Sequence, residues 1–345
     1  CFSSVAAQRG AEELRVAEAD LEGPWIGVLG VPADEAGCDT VVRGALADPS
    51  SEGSSCFSSI YASFVQAAGA RAVGIPYNAL EANREVLEKL LESLDGVLFS
   101  GGGVNLSDTG SAYFRTGSFI FDWVKRTNDA GRYFPLRGHC MGFQFLSILG
   151  AGSDPAVLQS DAFDSEDLSL ALEWAVEAPQ SRWVSRMPSD VHEIFTKESC
   201  TSNLHHDGVS PHSFLTNPQL LSFYRVISTN EDKKGNAFVS TAEARGYPIT
   251  AFQWHPERPQ FDHSPGEGIN HSSTAIRANA WVGADFLEEA RRRQTEAGSR
   301  QRDLPLLRQF VTYGMRQTLA GDSLTGLSNL VFSGFPRLRP EIPDR

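Results

Sequence analysis

Gly138, Cys140 and Gly142, spaced G-x-C-x-G within PLRGHCMGFQFLSILG (residues 135–150), constrain this chain more tightly than any other stretch. A run able to form a short strand, Arg132–Leu136, leads into it, and FQFLSIL after it has helix-compatible apolar spacing, so the motif is expected at a strand-to-helix turn. A side chain on so tight a turn sits at a strained backbone angle, and only small neighbours let the flanking backbones approach that closely. It points out of the sheet edge toward a substrate. The unpaired N–H groups and dipole at the start of the following helix favour an anion, which suits a thiolate and a developing oxyanion. A cysteine between glycines is on its own more often a small buried residue than a nucleophile, so the functional reading needs a partner.

The partner lies 115 residues on, in ITAFQWHPERP (249–259). Ile249, Ala251, Gln253 and His255 alternate with Thr250, Phe252 and Trp254, predicting a strand that Pro256 ends. His255 and Glu257 are two apart, so an extended segment projects them to one side. The carboxylate can then hold one ring nitrogen while the other faces a thiol, which is the logic of a Cys–His–acid triad.

GHCMGFQ followed at this distance by QWHPE resembles the gamma-glutamyl hydrolase family within the class I glutamine amidotransferase-like fold. SIYASFVQAAGARAVGIP (59–76) is similar to that family's first helix and second strand, and LDGVLFSGGGVNL (94–106) to its strand and glycine loop. SNLHHDGVS (202–210) is similar to its Asn-x-His segment, and GINHSSTAIRANAWVGADFLEEARR (268–292) to its C-terminal helix region. The resemblance covers about residues 25–292. It implies an α/β fold with a mostly parallel central sheet and helices on both faces, a flavodoxin-like three-layer sandwich. It also implies cleavage of the poly-gamma-glutamate tails of folates or antifolates, and delivery to a lysosome, a vacuole or the cell exterior. His205 matches the family's second active-site histidine. His139 departs from the pattern, which usually has Thr before the nucleophile, and residues 32–55 are longer than the corresponding loop. Because neighbours along a strand point to opposite sides, His139 is expected behind the site or at an interface rather than in catalysis.

In chain order, residues 1–24 are expected as an arm or processed leader remnant, Trp25–Val31 as a buried strand, and 32–55 as a loop insertion. Helices are expected at Ser58–Ala68, Glu81–Ser93, Ser118–Ala130 and Ala275–Arg293, with strands at Ala72–Ile75 and Gly96–Phe99. This alternation implies a parallel sheet, whose ligands bind at the carboxyl ends of the strands. SGGG (100–103) lies at one such end, where glycine amides can form an anion nest. The amide of Gly102, with that of Met141 just after the nucleophile, is therefore expected to form an oxyanion hole, with Gly101 and Gly103 against the substrate. DSEDLSLALEWAV (164–176) reads as a helix in a smaller lobe, and Leu220–Ser228 and Ala237–Ala242 as paired strands turned by KKGN (233–236). A catalytic domain is drawn at 25–293, with 294–345 as an extension packing on the body without its own core.

The chain has 345 residues and a net charge of −13, which argues against a nucleic-acid surface, and it lacks an 18-residue apolar run that could span a membrane. No cofactor or metal is expected, since HHD (205–207) lacks further ligands at a usable spacing. The resemblance implies a small-molecule substrate, folylpoly-gamma-glutamate, as partner; a homodimer is one possible assembly, and the sequence does not fix the oligomeric state. The five cysteines fit one free catalytic thiol plus up to two disulfides, and fit five free thiols equally well. Sequons at Asn105 and Asn270 matter only in a secretory chain. Three rivals share the motifs: the glutaminase part of an amidotransferase, a hydrolase of small gamma-glutamyl amines, and a catalytically dead binding module.

Overall fold

The computed structural model describes residues 23–33, 53–296, 302–312, 316–319 and 328–332. An eight-stranded sheet carries the architecture. Its strands are β1 (Trp25–Leu29), β4 (Arg71–Ile75), β5 (Gly96–Phe99), β6 (Leu136–His139), β8 (Glu173–Trp174), β10 (Tyr224–Glu231), β11 (Ala237–Ala244) and β12 (Ile249–Phe252), in the order β4-β1-β5-β6-β12-β11-β10-β8. From β4 to β12 neighbouring strands run parallel; from β12 to β8 they run antiparallel.

The parallel strands are buried on both faces, with a period of two. Trp25 and Leu29 of β1, and Val97 and Phe99 of β5, pack with Leu87 and Leu90 of α2 (Ala79–Ser93), Ile120 of α3 (Ala112–Asp129) and Phe143 of α4 (Met141–Gly150). Ile26, Val28 and Leu98 point the other way, onto Ile60 and Val65 of α1 (Ser59–Ala67) and Phe286 of α5 (Ser273–Glu296). This is the three-layer α/β sandwich the alternating pattern implies. Arg137, fully buried on β6, reaches α5 through Asp285 (2.8 Å), Glu289 (2.9 Å) and the Val282 carbonyl (2.8 Å). Such a buried pair contributes more to the register of helix on strand than to net stability.

Several expectations are corrected. The strand feeding the turn is Leu136–His139, running up to Cys140 itself, where the sequence pattern predicts Arg132–Leu136; pairing of Leu136–His139 with Ile249–Phe252 draws the strand forward. The strand before His255 stops at Phe252, and His255 is held by its own amide on the Ser202 carbonyl. DSEDLSLALEWAV forms no helix: β7 (Leu168–Leu170) pairs with β9 (Thr201–Asn203), and β8 joins the main sheet, so tertiary pairing outweighs helical composition. Residues 218–223 are a short helix before β10 rather than strand.

The expected loop 32–55 begins and ends in strand. β2 (Val31–Pro32) and β3 (Ser55–Ser58) pair with each other, and β3 pairs with β14 (Ser328–Phe332), itself paired with β13 (Arg316–Leu319). Residues 34–52, the N-terminal arm over 1–22, and 297–301 lie outside the described residues. Cys56 is disulfide-bonded while Cys140 and Cys200 are free, so the chain does not carry five free thiols.

At the strand-to-helix turn, glycines are packed against backbone. A Cβ on Gly142 would lie 2.1 Å from the Phe99 carbonyl oxygen, and one on Gly138 would lie 2.6 Å from the Gly142 carbonyl oxygen. Both are backbone atoms that cannot swing away. Gly142→Ala should therefore lower the unfolding free energy by about 2–3 kcal/mol in urea titrations. Gly103→Ala, which meets nothing within 4 Å, should stay within about 0.5 kcal/mol of the parent.

Candidate active site

Cys140 has φ 52° and ψ −111°, in the left-handed region that non-glycine residues rarely adopt, and it caps α4. The adjoining strand over-determines this strain: the Cys140 amide donates to the Phe252 carbonyl (2.8 Å), and Gly138 and Gly142 let the backbones close around it. The side chain is 6% exposed, and its sulfur lies 3.9 Å from the Leu204 carbonyl oxygen.

His255 arrives from the turn after β12 and stands beside Cys140, close enough for the sulfur to act on the charge of the ring. A Cβ on Gly101 would lie 3.1 Å from His255 Cε1 and 3.3 Å from Cys140 Cβ, so ring and thiol converge on one point. On its other side, His255 Nδ1 meets Glu257 Oε1 at 2.5 Å. Burial disfavours the charged ring, but the Cys140 and Glu257 side chains outweigh it and lift the His255 pKa to about 9. Burial likewise works against the Glu257 carboxylate, yet His255 and His139 hold it well below the usual range. An ionised carboxylate only accepts, so His255 donates to Glu257 from Nδ1, which leaves Nε2 as the ring nitrogen available to the sulfur.

The Gly101–Gly103 loop follows β5. The Gly101 amide donates to Tyr61 Oη (2.8 Å), whose oxygen is also 3.4 Å from His255 Nδ1; burial, above all, keeps this phenol protonated. Gly102 packs on Met141, and neither of their amides has an acceptor among the described residues. Both residues line a cavity of about 230 Å³ together with Gly103, Asn105, Gln144 and Asp207. His205 is 4% exposed; its Nδ1 lies 3.0 Å from the Asp207 carbonyl, and burial drives its pKa down to about 3, leaving a neutral ring whose Nε2 has no partner among the described residues. His206 turns away to Glu166 at 3.4 Å, so the two histidines do not share a site.

One neighbour of the site escapes sequence reasoning, and the place of another is only half legible. Tyr61 sits in an ordinary amphipathic helix, and no local signal separates it from the core residues Ile60 and Phe64. His139 is fully buried behind the site, as alternation along the strand predicts. Its Nδ1 is 3.0 Å from Glu257 Oε2, a contact that alternation does not foretell.

A family model for peptidase C26 matches residues 37–257. Gamma-glutamyl hydrolase B of Dictyostelium discoideum is 34% identical over 232 residues, covering 67% of this chain and 65% of that protein. Gamma-glutamyl hydrolase 1 of Arabidopsis thaliana is 33% identical over 270 residues, covering 78% of this chain and 72% of that one. The gamma-glutamyl hydrolase of Mus musculus is 33% identical over 232 residues, with 67% and 70% covered. The matches thus span about two thirds of these relatives' lengths. Among solved structures, a glutamine amidotransferase from Thermotoga maritima is similar at 11% identity and a TM-score of 0.37, covering 80% of this chain and 91% of that one, a likeness too loose to carry an argument. With the family model across well over half of the sequence and relatives a third identical, the chain belongs to the peptidase C26 family of cysteine hydrolases, alongside the gamma-glutamyl hydrolases.

Proposed function

We propose that the protein hydrolyses gamma-glutamyl amide bonds, with the poly-gamma-glutamate tails of folates or antifolates as substrate. One observation carries this reading: the free thiol of Cys140, on its strained turn, lies beside an imidazole that Glu257 holds at 2.5 Å from behind. In this reading the Cys140 thiolate attacks the gamma-carbonyl carbon, and the C=O electron pair moves onto oxygen. The amides of Gly102 and Met141 hold that oxyanion, a role open to them because neither N–H donates to an acceptor among the described residues. Imidazolium at His255 gives its proton to the departing nitrogen, the C–N bond breaks, and a thioester remains. His255 then takes a proton from water, whose oxygen displaces the sulfur and releases the gamma-glutamyl acid. His205, neutral at physiological pH, accepts a hydrogen bond from the gamma-glutamyl group.

The disulfide at Cys56 supports an oxidising compartment, consistent with the secretory pathway and a lysosomal, vacuolar or extracellular destination. Among the described residues no helix is long and apolar enough to cross a membrane.

Two measurements test this. Incubated with folyl pentaglutamate and resolved by chain length, the parent should shorten the tail, and Cys140→Ala should be slower by at least about 10⁴-fold. Equal rates in the two proteins, or faster turnover of free glutamine than of the polyglutamate, would overturn the reading. In NMR titrations the His255 ring should lose its proton near pH 9, above the ordinary 6.5, because two neighbouring anions favour imidazolium. Cys140→Ala removes one of those anions, so the midpoint should fall by about one unit or more.

A further inference from the structure

Glu257 is fully buried and uses both of its oxygens. Oε1 meets His255 Nδ1 at 2.5 Å, and Oε2 meets His139 Nδ1 at 3.0 Å. Since the carboxylate only accepts, His139 donates from Nδ1, and its Nε2 is left unpartnered among the described residues. That nitrogen has little else to meet. Phe64 stands 5.5 Å from the ring edge-on, Phe252 5.7 Å and Tyr61 6.2 Å, so the imidazole is boxed in by aromatic side chains and its ring makes one polar contact among the described residues. The groups facing it are Glu257 and His255 from the turn after β12, Phe252 of β12, Tyr61 and Phe64 of α1, and Arg137 two residues back on its own strand.

The location gives that contact its meaning. The terminal torsion of a glutamate is soft, so one hydrogen bond to His255 leaves the carboxylate free to turn. His139 is on β6, and the next residue is Cys140. A bond from His139 therefore ties the acid to the backbone that carries the thiol, while His255 and Glu257 come from the neighbouring strand end. We propose that His139 is a positioning residue: its Nδ1–H fixes the rotation of the Glu257 carboxylate, so that the His255 ring is held in register with the strand that presents Cys140. The inference rests on the roles given above to Cys140, His255 and Glu257.

The test uses the full chain with His139→Leu, which fills the aromatic box without a donor, and His139→Asn, whose side-chain N–H falls near the position of Nδ1. Steady-state hydrolysis of a gamma-glutamyl substrate is one readout. Alkylation of Cys140 by iodoacetamide needs no substrate and is the other, with Cys140→Ala as the blank for Cys200. His139→Leu should lower kcat by about tenfold or more with KM within about twofold, as expected when base orientation and not binding is lost. Its alkylation should be slower by about fivefold or more near pH 6.5, where thiolate depends on the imidazolium beside it, and should match the parent near pH 10. His139→Asn should recover both to within about threefold.

Parent-like kcat and alkylation in His139→Leu, an equal alkylation deficit at both pH values, or an Asn variant as impaired as the Leu variant would each overturn the proposal. Should the Leu variant fail to fold, His139→Gln, whose amide falls near Nε2 rather than Nδ1, takes its place with the same expected losses. A parent that cleaves no gamma-glutamyl bond but shows this alkylation pattern would sink the proposed function and leave the role of His139 standing.

Discussion

The close approach of three backbones at one point organises this molecule. Gly142, in the first turn of α4, lies directly against the Phe99 carbonyl of β5, Gly138 sits against Gly142, and the Cys140 amide is bonded to Phe252 of β12. Strain at a positive φ for a cysteine costs of order 1–3 kcal/mol, and it persists only where the surroundings over-determine it. Here the surroundings are the middle of the sheet, with β5 and β12 flanking β6 on either side. The same contacts that impose the strain bring the β5 loop, the α4 N-terminus and the end of β12 together. The cleft follows from the packing of the turn.

Charge at the site is handled in layers. A carboxylate with no exposure to water is costly unless both oxygens are satisfied. Two imidazoles satisfy it, one facing the thiol and one facing the aromatic layer under α1. His255 is held charged and His205 neutral, although both are buried, because anions beside His255 outweigh burial, whereas at His205 burial outweighs the one backbone carbonyl that its Nδ1 meets. Burial alone would push both rings in one direction.

Beyond the cleft, the far edge of the main sheet is covered rather than left open. The Gly74 amide of β4 donates to the Phe310 carbonyl at 2.8 Å, and Val73 bridges to Val311. Such cover removes an unpaired strand edge that could template association. The small sheet β13-β14-β3-β2 packs Leu330 and Phe332 beside Phe57, and so joins the chain's late residues to the layer that holds α1 and Tyr61.

Local pattern determined a good deal. The spacing of Gly138, Cys140 and Gly142 specified a strained turn, since only glycines tolerate that approach, and the periodicity of Val86, Leu87, Leu90 and Leu91 specified α2 as half-buried. The buried runs Trp25–Leu29 and Gly96–Phe99 declared a sheet covered on both faces. Long-range pairing decided the rest. β7 and β8 were hidden in a helical composition because their partners, β9 and β10, lie far along the chain, and propensity carries no information about such pairs. The strand end at Phe252 depends on Cys140 and Ser202 taking the next backbone groups. That one carboxylate serves two imidazoles, and that Tyr61 occupies the Gly101 amide, depends on rings and loops from four separate segments meeting at one depth, which no single stretch of residues encodes.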